Sequence, residues 1–191
     1  GPKTPQNVPF DDITKLWGTW YVIGAEFACT DSSSTANVCT QLNFQPEDNT
    51  STATNLDYLA SYNSDNQPYG PSIRAQGAFY PVSANFSASE APYLLEVPVG
   101  SGVMSNFWFL ATDGDASGNH ITSLVTLSCP GTGTDSQMFF LSRKPYFVAP
   151  TTFYSMATLA AQAVTNFGDH NFTLVKQAKG WCNYPFDEVA I

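Results

Sequence analysis

Turn signals divide this chain about every ten residues, a rhythm that few folds share. Asp31-Ser32-Ser33-Ser34, Pro46-Glu47-Asp48-Asn49, Asn63-Ser64-Asp65-Asn66, Asp113-Gly114-Asp115 and Pro130-Gly131-Thr132-Gly133 are the clearest. Their small polar side chains, prolines and glycines satisfy tight turns locally. Between them lie short runs rich in aromatic and β-branched residues, which suit a pleated, half-buried surface. The pattern predicts an antiparallel sandwich or barrel of eight strands, near 18–27, 39–46, 52–60, 72–80, 92–98, 105–112, 120–128 and 136–143. One segment differs. Residues 151–164 follow Pro150, are rich in Ala and Leu, and place Phe153, Met156, Leu159, Ala160 and Ala163 on one helical face. Residues 172–175 are expected to add a short strand. The fold class is therefore all-β. Eight strands followed by one helix fit an eight-stranded antiparallel up-and-down barrel with the helix packed outside. Such a barrel is just wide enough to hold one small ligand.

Length and charge narrow the function. The 191 residues show no abrupt change in composition, so one domain over 1–191 is expected. Seven Lys and Arg against 16 Asp and Glu leave a formal net charge of −9. That argues against nucleic acid, which rewards basic patches, and against anionic membrane surfaces. No stretch approaches the ~20 apolar residues of a membrane helix, so no membrane span is expected. Gly1-Pro2 reads as the scar of a removed tag, so the natural start is expected to be lost.

Cysteines and asparagines point to a compartment. Cys29, Cys39, Cys129 and Cys182 lack Cys-x-x-Cys spacing, and His120 and His170 lie far from them in sequence. Two disulfides, in one of three connectivities, fit better than a zinc site. Three Asn-x-Ser/Thr sequons, at Asn49, Asn85 and Asn171, join them in favouring a secreted glycoprotein.

At this point the motifs resemble the lipocalin family, and within it the apolipoprotein D and bilin-binding type. Gly18-Thr19-Trp20 is similar to the Gly-x-Trp of a lipocalin's first strand. Thr112-Asp113 is similar to the Thr-Asp that ends the sixth, and Arg143 to the Arg that ends the eighth. The runs at 39–44, 107–113 and 123–129 resemble the second, sixth and seventh strands. The resemblance implies that Trp20 plugs the closed end of the barrel with Arg143 across its ring, and that Gly18 lets the chain enter from the preceding turn. It also implies a Cys39–Cys182 disulfide. The Cys that relatives carry before the first strand is missing. Cys29 follows that strand instead, so it is expected to meet Cys129 at the open rim.

The resemblance places Phe44 and Trp108 on the pocket face. Strand alternation then adds Leu42 beside Phe44, and Asn106 and Leu110 beside Trp108. On the eighth strand Phe139 and Leu141 are expected to face inward, with Tyr58 and Phe79 as further lining residues. Arg74 and Lys144 are the cations available to a ligand's carboxylates. The function implied is a secreted carrier of one small hydrophobic molecule: a bilin pigment, fatty acid, steroid or retinoid. No cofactor or metal is required, and a homo-oligomer is compatible with the sequence. Two alternatives stand beside the carrier. One is a lipid-modifying enzyme on the same scaffold, with Cys29 as nucleophile; the other is an interaction protein with an occluded barrel.

Overall fold

A computed structural model describes residues 13–27, 38–46, 56–63, 72–81, 93–96, 99–102, 104–112, 121–130, 137–146, 173–178 and 180–189, together with Thr151 and Ser155. A 3-10 turn at Ile13–Leu16 leads into β1 (Gly18–Phe27). β2 (Gln41–Pro46), β3 (Leu56–Asn63), β4 (Ser72–Pro81), β5 (Tyr93–Glu96), β6 (Met104–Thr112), β7 (Ser123–Pro130) and β8 (Gln137–Ser142) follow, with β9 (Thr173–Leu174) last. Each of β2 to β7 pairs antiparallel with the next. β1 pairs with β8 on one side and with β2 on the other, which closes the sheet into a barrel. Closure leaves no bare edge among these strands.

The eight expected strands are present. The third begins at Leu56 and runs to Asn63, later than the expected 52–60. The short strand expected near 172–175 is β9, on the upper edge of β1. Of the expected helix, Thr151 and Ser155 are described, and the Ser155 hydroxyl donates to the Thr151 carbonyl at 3.1 Å. The rest of residues 152–164 lies outside the described residues. Among the described residues no helix is long and apolar enough to cross a membrane.

Two irregularities set which side chains face inward. β1 carries an extra residue, Ile23, between Val22 and Gly24 opposite Leu141 and Phe140. β6 carries one at Leu110, between Phe109 and Ala111 opposite Thr126 and Val125. Each bulge reverses the alternation beyond it, so Val22 and Ala25 share the inner face three residues apart.

Candidate functional site

The closed end is built around Trp20. Its ring is buried, and its Nε1 donates to the Leu16 carbonyl at 3.0 Å. The Arg143 guanidinium lies 3.8 Å from the ring centroid. Arg143 Nη1 donates to the Thr19 carbonyl and Nη2 to the Lys15 carbonyl, each at 2.9 Å. One side chain thus ties the 3-10 turn to β1 and caps the indole. Burial lowers the Arg143 pKa to about 10, so it is still charged at neutral pH. Gly18 enters β1 with φ of +97°, and a Cβ there would lie 2.5 Å from Val189 Cγ2. The glycine is needed both for its backbone angle and for the close approach of the C-terminal segment.

Above this plug lies an aromatic floor. Phe44, Phe79, Phe107 and Phe109 are buried and meet one another. Ring centroids are 5.4 Å apart for Phe44–Phe79, 4.8 Å for Phe79–Phe107 and 5.3 Å for Phe107–Phe109. Tyr93 joins edge-on to Phe109 at 5.2 Å. Offset and edge-to-face rings add to simple area burial. Leu42, Leu124, Leu141, Val22 and Leu95 belong to the same buried cluster, and Phe139 packs on it while partly exposed. Leu42, Phe44, Phe79, Phe139 and Leu141 therefore lie together. Tyr58 pairs in register with Phe44 and Gly77.

The sixth strand departs from expectation. Phe107 and Phe109 belong to the inner cluster, so Asn106, Trp108 and Leu110 are not on the pocket face. Asn106 is exposed, and Leu110 sits at the bulge. Trp108 is only 8% exposed yet faces away from the floor, in register with Leu127. Around Trp108 both phases of this strand are apolar because both of its faces are covered there. The polar Asn106 was the signal that marked its outer face.

Apart from Arg143 at the closed end, no cation among the described residues is buried in the barrel. Arg74 is exposed, on the face opposite Ala75 and Gly77, and Lys144 forms an ion pair with Glu188 at 3.0 Å. Lys176 sits over the Trp181 ring at 3.6 Å. Neither Arg74 nor Lys144 is placed to meet a ligand's carboxylate inside the barrel. Two hydroxyls do lie on the inner face. Tyr93 Oη and Thr126 Oγ1 are buried with no hydrogen-bond partner among the described residues. Burial pushes the Tyr93 pKa up to about 12, so the phenol is neutral.

The strap that runs from β9 to Val189 across the outside of β1 and β2 was not foreseen beyond its cysteine. Cys182 is disulfide-bonded to Cys39. Gln41 is buried, donates to the Phe186 carbonyl at 2.9 Å and accepts from the Phe186 N–H at 3.2 Å. Gln177 Nε2 donates to the carbonyls of Val22 and Thr40, both at 2.8 Å, and Gln177 Oε1 accepts from the Tyr184 hydroxyl at 2.7 Å. Tyr184 meets Tyr21 edge-on, and burial raises the pKa of both phenols. Between strap and barrel lies an open groove of about 490 Å³. Its polar side chains Thr19, Asn43 and Gln45 bond one another, so it is the strap's seat. Cys29, the Cys129 side chain and the sequons at Asn49, Asn85 and Asn171 lie outside the described residues.

No family profile and no curated protein matches this chain. Solved structures do match. One is the siderocalin Ex-FABP, which functions through dual ligand specificities; it aligns with a TM-score of 0.56 and 14% identity, over 86% of this chain and 95% of that one. The fold is of the lipocalin type. At that identity the likeness concerns the fold alone. A closed eight-stranded barrel is just wide enough for one small ligand, which makes its inner face the candidate site.

Proposed function

We propose that this protein is a secreted carrier that holds one small hydrophobic molecule inside the barrel. The observation that carries the reading is the inner face: aliphatic and aromatic side chains rise from a plugged floor, and no cation stands on it among the described residues. Apolar lining with a few polar groups is the usual make-up of small-molecule sites. The likeness to the siderocalin Ex-FABP, whose name and description concern ligands, supports a binding role. The Cys39–Cys182 disulfide and the three sequons support an oxidising, extracellular setting. The resemblance to the apolipoprotein D and bilin-binding type rests on motifs alone. A steroid, retinoid or other neutral lipid suits this interior better than biliverdin, whose two carboxylates would have no described cation to meet.

The occluded barrel is the second reading. Four phenylalanines packed ring to ring already fill much of the lower interior. A reporter placed above them separates the two. In a Phe139→Trp variant, titration with a steroid or a retinoid should quench or shift the new indole emission if the barrel carries a ligand. Absence of any response to either, with the fold intact, would leave the occluded barrel as the better account.

A further inference from the structure

Two buried hydroxyls are unexplained by the packing of the barrel. Tyr93 is 6% exposed and Thr126 is fully buried, and neither hydroxyl has a hydrogen-bond partner among the described residues. Leaving such a group unpaired in an apolar interior is costly, and natural cores seldom do it. Both lie beside one ring. Tyr93 stands edge-on to Phe109 at 5.2 Å, and Thr126 is opposite Phe109 on one side and Phe139 on the other in the strand register. Among the described residues they are thus the polar groups beside this ring.

We propose that Tyr93 and Thr126 form the polar end of the ligand site and select a neutral ligand bearing one hydroxyl or carbonyl oxygen over an anionic one. This rests on the carrier reading above. A hydroxyl both donates and accepts, so the pair can receive an alcohol or a ketone. A carboxylate brought to the same place would lose its hydration and meet no described cation, which is far more costly than burying a neutral group. The acidic chain adds a further unfavourable field for anions.

The test uses three probes with one ring system: naphthalene, 2-naphthol and 2-naphthoate, measured by equilibrium dialysis against the full chain at neutral pH. 2-Naphthol should bind about tenfold tighter than naphthalene, because it satisfies groups that are otherwise unpaired. 2-Naphthoate should bind weakest. A Tyr93→Phe/Thr126→Val double variant should bind 2-naphthol no better than naphthalene, while naphthalene affinity stays unchanged. Thr126→Ser, which keeps the hydroxyl, should retain the preference, and melting curves confirm that each variant is folded. If naphthalene binds but 2-naphthol gains nothing, or 2-naphthoate equals it, the polar site is refuted and the carrier stands. The same holds if the folded double variant keeps the preference. If the parent binds none of the three, the carrier reading falls and the polar site with it.

Discussion

Gly18→Ala tests the closed end at its tightest point. Gly18 has φ of +97°, a region that costs an L-residue roughly 1–2 kcal/mol. The added methyl would also lie 2.5 Å from Val189 Cγ2 and 3.5 Å from Arg143 Nη1. Favourable carbon contacts begin near 3.5 Å, so Val189 must retreat by about 1 Å. Overpacking of this kind costs about 1–3 kcal/mol. Together the two effects predict a loss of about 2–5 kcal/mol. A double-mutant cycle separates them. Val189→Ala removes Cγ2 but leaves the backbone angle alone. In that background Gly18→Ala should cost only the angle's share, leaving a coupling of about 1–3 kcal/mol between the positions. Urea unfolding monitored by Trp fluorescence gives all four stabilities. Gly18→Ala within about 0.5 kcal/mol of the parent, the usual range for an inert surface change, would refute both the strained angle and the contact. An identical cost in both backgrounds would refute the contact alone.

The other predictions concern the plug, the outer layer, the strap and alkaline pH. Trp20→Ala should lose about 3–5 kcal/mol through the cavity it leaves, with ligand preference unchanged; an unaltered melting temperature would mean that it is not the plug. Trp108→Ala should lower stability while leaving ligand affinity intact, since Trp108 faces away from the floor; weaker binding by the folded variant would restore it to the pocket. Replacing both Cys39 and Cys182 by Ser should cost about 2–5 kcal/mol and loosen the strap, seen as faster amide exchange at Gln41 and Phe186. The Tyr93 pKa is raised to about 12 from 10.0, so the unfolded chain releases this proton at lower pH than the native one. Its contribution is whole below pH 10 and lost as pH rises towards 12, by roughly 2–3 kcal/mol. Tyr93→Phe should flatten that part of the alkaline stability curve, and an unchanged slope would count against its burial.

The barrel was legible because its turns are chemically loud. Gly, Pro, Asp and Asn clusters cut the chain at each hairpin, and the strands between them carry β-favouring residues. The Trp20–Arg143 pair was legible for a different reason: two motif residues 123 positions apart are brought together by closure of β1 on β8. The strap was not legible. Its hold on the barrel comes from Gln41, Gln177 and Tyr184, polar side chains that satisfy backbone groups at long range. Nothing periodic marks such residues, because each contact depends on where the chain returns and not on its local pattern.

The sixth strand shows the physical limit of alternation. A strand with one wet face declares its register, since polar residues fall every second position. In the run Phe107-Trp108-Phe109-Leu110 both phases are apolar. Phe107 and Phe109 bury against the aromatic floor, and Trp108 buries on the opposite face beside Leu127. Burial of both faces removes the contrast on which the period-two signal depends, and a slip of one residue exchanges every assignment. The bulge at Leu110 compounds this by shifting the phase within the same strand. Size does not resolve the ambiguity, because the largest ring, Trp108, lies outside. What does resolve it is the partner strand. Tyr93 opposes Phe107, and Thr126 opposes Phe109, so the two unpaired hydroxyls lie on the same face as the floor. The choice of inner face and the choice of ligand chemistry are therefore one question. A register with Trp108 inside would move Phe107 and Phe109 out of the floor and set both hydroxyls on the outer layer, away from any ligand.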